Sequence, residues 1–386
     1  MVKLGDMMQV NWVSKVITIL FLLSPLLSNF AFYKSVSLGD ISIMLVATYL
    51  ILVERKDFFL LPMEAHISLL ILLILLLISV LHFTENTRII LSAFRHVSYL
   101  ALCFFIIKLK DIKLAATYIV LAIIFSSLLI IQKVYFMTTG HYFLFFDPSL
   151  EIQKTYIAQL GNININDTFR TGGLFCEPSY FALYLIPALI ITSKTHNYLL
   201  YLFFSLAIFM STSALGILMT LIYPLKLIDN YKEKNISILI VMSLMICMLI
   251  SLMLIFTNPT IFDGLKEFGS FNVRFFSPII NYIEFNSGFL FPNPKIIGAT
   301  TDYNQWCNSL IYTLSLFGSG ILLVYFFLLK KIKYIQLRLS LLLILIFTNA
   351  LPSPYLVVII GILYNFERIK FNYKLPSTFL KIRVNE

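Results

Sequence analysis

Apolar runs of about 17–25 residues, long enough to cross a bilayer as a helix, recur from one end of this chain to the other. No other feature restricts the possible folds so strongly. Of the 386 residues, 59% are hydrophobic and only 12% charged, and mean hydropathy is +0.90. Soluble domains run at roughly 45–50% apolar and 25% charged. One chain of this length cannot enclose so large an apolar excess in water, so lipid is the expected solvent for most of it. The same values exclude a disordered chain and a nucleic-acid binder built on a basic domain.

The pattern predicts an all-α polytopic integral membrane protein, a single transmembrane domain over residues 1–386. Twelve spans are expected, at 12–32, 36–53, 66–83, 89–107, 113–131, 178–193, 197–211, 213–228, 236–256, 307–329, 338–351 and 354–367. The seventh, eighth and last two are short for a full crossing, which sets the range at ten to twelve. The first run follows Lys3 and Lys15 but has no small-x-small cleavage site behind it. It reads as an uncleaved span rather than a signal peptide.

The net charge of +10 is mostly a record of orientation. With the N-terminus in the cytoplasm, 20 of the 29 Lys and Arg fall in inside loops and 8 outside, with Arg95 within a span. That bias fits an even number of spans with both termini cytoplasmic. Two external segments are then large, about 132–177 and 257–306, and they carry the Gly, Pro, Asn and Asp of ordered loops. In the second, Ile261, Phe262, Leu265 and Phe268 fall at helical spacing, as do Phe275, Phe276, Ile279, Ile280 and Ile283. Such stretches either lie on the outer leaflet or pack on the tops of the spans.

The fourth span places ionisable groups where they are expensive. At 100° per residue, Glu85, Arg88, Ser92, Arg95, His96 and Tyr99 share one face about 100° wide, while Ile89, Ile90, Leu91 and Phe94 cover the rest. A charge at mid-membrane costs several kcal/mol unless it is paired or faces water. The stripe therefore lines a polar cavity, or it forms a structural Glu–Arg pair between helices. One acid does not neutralise both arginines, which favours the cavity.

The other informative stretch lies where the first large loop re-enters the membrane, at residues 170–182. Gly172 and Gly173 allow close approach to a ligand or a sharp turn. Pro178 suits the first turn of a helix, and Glu177 then sits at a helix N-terminus. Arg170 offers a planar fork for phosphate oxygens. Two readings stay open, a site for an anionic lipid headgroup and a capped helix beside a surface arginine.

The string R-x-x-G-x-F-x-E-P-S-x-x-A, here Arg170, Gly173, Phe175, Glu177, Pro178, Ser179 and Ala182, resembles the signature of the O-antigen polymerase (Wzy) family. Ser211, Thr212, Ser213 and Gly216 resemble that family's Ser-rich segment between consecutive spans. Asn272 and Arg274 put a second arginine in the later loop, and Asn308 with Gly318 and Gly320 resembles its last loop-to-helix element. The motif-grade likeness covers about 170–182; elsewhere it is one of architecture. Related O-antigen ligases carry a His–Asn or similar pair before the final Gly-rich helix. Here Asp302, Asn304 and Asn308 stand there with no histidine, which favours polymerase over ligase.

The resemblance implies a membrane-embedded C-type glycosyltransferase in a bacterial inner membrane, inverting and metal-independent, with no cofactor. Its partners would be undecaprenyl-diphosphate-linked glycan donor and acceptor, membrane lipid, a chain-length regulator and a flippase. It implies Arg170, Glu177 and Arg274 as catalytic. Gly173, Ser179 and Asn308, with Arg88, Arg95, His96 and Tyr99 of the fourth-span face, are the candidates for substrate binding. Arg170 and Arg274 form one candidate cradle for the diphosphate and Arg88 with Arg95 another. Glu177 is a candidate base, with Asp302 and Glu284 as rivals; its other readings are to orient Arg170 or cap its helix. No Asp-x-Asp motif, metal-type histidine spacing or Gly-rich phosphate loop is present. Cys103 and Cys247 read as packing residues, and Cys176 and Cys307 fall near the external face. A flippase or transporter is the competing class, disfavoured by the lack of related halves. Reporter fusions at residues 150 and 285 are expected to be external and one at 333 cytoplasmic.

Overall fold

A computed structural model describes residues 2–33, 36–53, 63–84, 87–106, 114–141, 143–145, 171–175, 177–195, 197–213, 216–217, 219–220, 291–293, 308–331, 338, 341–342, 344–346 and 353–368. These residues are mostly helical. In chain order the helices are α1 (Val2–Leu27), α2 (Leu38–Val53), α3 (Met63–His82), α4 (Thr87–Ile106), α5 (Leu114–Thr139), α6 (Pro178–Lys194), α7 (Tyr198–Ser211), α8 (Ser309–Phe317), α9 (Ile321–Lys331) and α10 (Pro354–Arg368). A small antiparallel hairpin, β1 (Ala31–Tyr33) and β2 (Val36–Ser37), departs from an all-helical chain. The chain divides into two compact units, one of residues 1–61, 102–224 and 353–386 and the other of 62–101 and 225–352.

In the first unit α6 and α10 are interior elements. Fourteen of the 17 residues of α6 are buried, and residues 354–363 of α10 are buried without a break. A helix apolar all round must be surrounded. Around them, α10 packs on α6, α5, α1 and α2, while α7 packs on α6 and α5. Helix α6 starts with Pro178 in its first turn, where the missing N–H costs nothing. It ends at Thr195, and Asn197 begins α7 at once by accepting from the Leu200 N–H at 3.2 Å.

Pro187 lies inside α6. Proline has no N–H and pushes off the carbonyl four residues back, so the helix ladder opens beside it. The Tyr118 hydroxyl of α5 occupies that position, accepting from the Ala188 N–H at 3.2 Å and donating to the Tyr184 carbonyl. In a straight helix that donor and acceptor would pair with each other. At the other side of the unit α1 and α2 meet closely at Gly39, where a Cβ would lie 2.5 Å from the Ser24 carbonyl oxygen. Ser37 and Asp40 form a reciprocal capping box at the start of α2, at 2.8 and 3.0 Å.

The second unit is built on α3, which packs against α8 and α9. Leu70, Leu73, Ile74, Leu77 and Leu81 form its exposed stripe, while Ala65, Ser68, Leu72, Leu75 and Ser79 are buried. Between the exposed His66 and His82 near its two ends the outer stripe is aliphatic and the serines face inward, the reverse of a water-facing helix. Among the described residues, helices α3 and α5 are long and apolar enough to cross a membrane, and six further apolar stretches are 10–17 residues long.

Three expected spans are drawn differently. The run 12–32 ends as a helix at Leu27 and turns into the hairpin. Helix α5 continues past 131 to Thr139, so the external segment expected from 132 begins later. The run 307–329 is two helices, broken where Gly318 adopts φ +74 and ψ −174, a region open essentially only to glycine. The runs 213–228 and 338–351 are described only in part, and 236–256 lies outside the described residues.

Replacing Tyr118 with Phe leaves the buried Ala188 N–H and Tyr184 carbonyl without that hydroxyl. We expect about 1–3 kcal/mol of destabilisation, read as a lower thermal midpoint of the detergent-solubilised protein against wild type.

Candidate functional site

The residues of the 170–182 motif divide by role. Gly172, Gly173, Leu174 and Phe175 form a tight turn closed by the Phe175 N–H on the Gly172 carbonyl at 3.1 Å. Gly173 has φ +67, and Leu174 is not among the positive-φ residues, as in a type II′ turn. A Cβ on Gly172 would lie 2.5 Å from the Phe175 carbonyl oxygen and 2.6 Å from that of Glu177. The close approach at Gly172 is thus to the chain's own backbone. The Gly173 N–H donates to Thr171 Oγ1 at 3.0 Å.

Phe175 anchors this turn. It is 1% exposed and its ring lies 5.2 Å from Tyr184, 5.6 Å from Phe125, 6.0 Å from Phe181 and 6.3 Å from Tyr355. Edge-on and tilted aromatic contacts of this kind add to the area they bury. The turn is also held to α5 through Gln132, which is fully buried. Gln132 accepts from Thr171 Oγ1 and donates from Nε2 to the Phe143 carbonyl at 2.7 Å. Gln132 and Thr171 were absent from the sequence-based candidates. The signal for Gln132 is a lone amide in an apolar helical run, hidden because the hydrophobic pattern ends the run at 131.

Glu177 is the N-cap residue of α6 in an extended conformation, with φ −130 and ψ 150, and its side chain makes no capping bond. The cap comes from its backbone, whose carbonyl accepts from Tyr180 N–H at 3.1 Å and Phe181 N–H at 3.3 Å. Glu177 is thus the cap residue of α6 through its backbone rather than its carboxylate. One carboxylate oxygen accepts from Ser179 Oγ at 2.9 Å, which aims the group at the helix start, where the macrodipole favours negative charge. In the Ser-rich segment Thr212 sits at φ 59, the one non-glycine at positive φ among the described residues. Ser213 Oγ then accepts from the Gly216 N–H at 3.3 Å.

In the second unit the faces of α4 segregate in part, Ile89 and Ile90 being as half-buried as the polar groups beside them. Leu91 and Phe94 are 61% and 56% exposed, whereas Ser92, Arg95 and His96 are half-buried and Tyr99 is buried. Ser92 Oγ pairs with the Tyr312 hydroxyl of α8 at 2.9 Å. His96 Nδ1 lies 2.6 Å from the Ser92 carbonyl oxygen, and its ring centroid is 5.3 Å from that of Tyr312. Asn308 caps α8 one turn before Tyr312, its Oδ1 accepting from the Ile311 N–H at 2.8 Å. The structure therefore brings His96 against Tyr312, a residue the sequence did not flag, one helical turn after Asn308. Arg170, Arg274, Glu85, Cys176, Cys307, Asp302, Glu284 and the Arg88 side chain lie outside the described residues.

No protein-family model, curated protein or solved structure matches the chain. The two glycines of the turn give a graded test. Gly173→Ala meets a left-handed φ, and its Cβ would lie 3.2 Å from Leu129 Cβ, for an expected loss of about 1–2 kcal/mol. Gly172→Ala meets two backbone carbonyls and should cost more. Thermal midpoints of the two variants should therefore fall in the order wild type, Gly173→Ala, Gly172→Ala.

Proposed function

We propose that this chain is a polysaccharide repeat-unit polymerase, a multi-pass glycosyltransferase of the bacterial cell membrane. It extends an O-antigen or capsular glycan on the external face. The growing chain leaves its undecaprenyl diphosphate and joins the sugar of an incoming lipid-linked unit, with inversion and without a metal. The reading carries ten to twelve spans, both termini in the cytoplasm and the architecture of C-type membrane glycosyltransferases. A flippase that delivers the units and a regulator of chain length are its expected partners.

The observation that carries the proposal is the coherence of the 170–182 motif. Gly173 makes the turn, Phe175 plugs it into the aromatic cluster, and Pro178 opens α6. Ser179 holds the Glu177 carboxylate. In sequence Arg170 directly precedes this scaffold, and an arginine suits a diphosphate because its planar fork can make two parallel hydrogen bonds. The reversed polarity of α3 and α4 supports lipid as the surrounding solvent.

Breaking a sugar–diphosphate bond puts negative charge on the leaving group, and fixed cations lower that barrier most. Arg170 and Arg274 are the residues assigned to this task, and Arg88 with Arg95 serves as the second cradle. Deleting the gene should collapse the long glycan ladder on a gel to a single repeat unit. Arg170→Ala or Arg274→Ala should slow chain extension by about 10²–10³-fold, with normal protein in the membrane fraction. Normal ladders from both variants would defeat the diphosphate clamp. Long chains that remain on undecaprenyl diphosphate in the deletion strain would point to a ligase, and absence of lipid-linked units from the outer face to a flippase.

A further inference from the structure

The polar face of α4 opposite the first turn of α8 is a built group that ties the two helices through Ser92 and Tyr312 and carries an ionisable ring, His96, against that contact. The backbone of α8 is satisfied elsewhere. Asn308 caps its start at 2.8 Å. At its end the Leu314 carbonyl accepts from Gly318 N–H at 2.7 Å, the Ser315 carbonyl from Asn293 N–H at 2.8 Å, and the Leu316 carbonyl from Ser79 Oγ at 2.7 Å. None of these bonds uses Ser92, His96 or the Tyr312 hydroxyl.

The geometry of the group places a proton on Nδ1 of His96, which faces the Ser92 carbonyl oxygen and, at 3.4 Å, the Ser92 hydroxyl. Nδ1 of His96 lies 2.6 Å from the Ser92 carbonyl oxygen, and a carbonyl only accepts. Nδ1 therefore carries the proton, and in the neutral ring Nε2 holds the in-plane lone pair. The ring is braced by Tyr312, centroids 5.3 Å apart at 37°. Tyr312 is in turn held by its 2.9 Å bond to Ser92 Oγ. Ser92 thus positions both rings, one through its carbonyl and one through its hydroxyl. One fixed tautomer and one fixed orientation are what a general base needs. His96, Ser92 and Tyr312 are half-buried rather than sealed in the core. An ionisable group on such a face, within an apolar helix, marks function more often than packing.

Resting on the polymerase reading, we propose that His96 is the general base of glycosyl transfer and that the α4–α8 face around it receives the acceptor sugar's hydroxyl. The acceptor oxygen bonds to the anomeric carbon of the donor glycan. The bond from that carbon to the diphosphate oxygen breaks, and its electron pair leaves with undecaprenyl diphosphate. The hydroxyl proton passes to His96 Nε2 and from there to water. Ser92 and Tyr312 are positioning residues that keep Nε2 aimed at the hydroxyl.

The test complements a deletion strain with His96→Asn, His96→Gln and Tyr312→Phe, reading glycan length on a gel and protein amount in the membrane fraction. Asn keeps a donor near the Nδ1 position and Gln an amide near the Nε2 position, but neither takes up a proton. Loss of about 10²–10⁴-fold in extension from both, at wild-type abundance, is the expected result. Tyr312→Phe should give a smaller loss and shortened ladders. Restoration of long chains by either His96 replacement would reduce His96 to a polar contact and overturn the proposal. So would normal ladders from the His96 variants beside a loss from Glu177→Gln, which would assign the base to the carboxylate. If the deletion itself leaves the ladder intact, the polymerase reading fails first and this inference with it.

Discussion

A backbone N–H or C=O without a partner in an apolar surround costs several kcal/mol, and this structure is organised around avoiding that cost. Helix α8 is the clearest case. It has nine residues, about 13 Å at 1.5 Å per residue, less than half a bilayer core. A helix that short cannot reach from face to face, so one of its ends lies away from water in any bilayer it enters. Asn308 supplies the acceptor at one end. At the other, Gly318, Asn293 and Ser79 supply three donors. The Tyr118 hydroxyl does the same inside α6, where Pro187 disturbs the ladder. The break inside α6 and the end of α8 each draw on a group from a distant part of the chain, Tyr118 for the first and Ser79 with Asn293 for the second.

The same constraint explains where the polar residues are. Ser68 and Ser79 of α3 point inward from a helix whose exposed stripe is aliphatic between His66 and His82. On α4, Leu91 and Phe94 are outside while Ser92, His96 and Tyr99 face in. Polar groups placed this way become available to one another and to a ligand, and they are withheld from the surrounding solvent. A chemical site in such a chain has to be assembled from inward faces, as the α4–α8 group is, or from loop residues locked onto the helices. The 172–175 turn is of the second kind, locked by Phe175 in its aromatic cluster and by Gln132 on Thr171.

The motif residues of 170–182 were legible as a group but not in their division of labour. Adjacent glycines suggested either a ligand cradle or a sharp turn. The structure gives Gly173 to the turn and Gly172 to close backbone packing. Glu177 was read at a helix start and is there, yet its carboxylate meets Ser179 rather than the helix N–H groups. Local spacing says which residues are near a helix end. It does not say which of several nearby donors a flexible carboxylate will take, because the competing bonds are nearly equal in energy.

By itself the sequence determined the helical character, most helix limits to within a few residues, the two faces of α4 in part, and the start of α6. Those follow from hydrophobic period, from proline and glycine chemistry, and from the cost of exposing charge to an apolar solvent, all of which act over a few neighbouring residues. Tertiary structure alone decided that Tyr312 meets Ser92 across 220 positions and that Ser79 meets Leu316 across 237. It also decided that the run 307–329 breaks in two at Gly318. Those outcomes depend on which distant donor or acceptor arrives to satisfy an exposed backbone or hydroxyl group. A pairing of that kind leaves no periodic trace in the chain, and only the packed fold selects it.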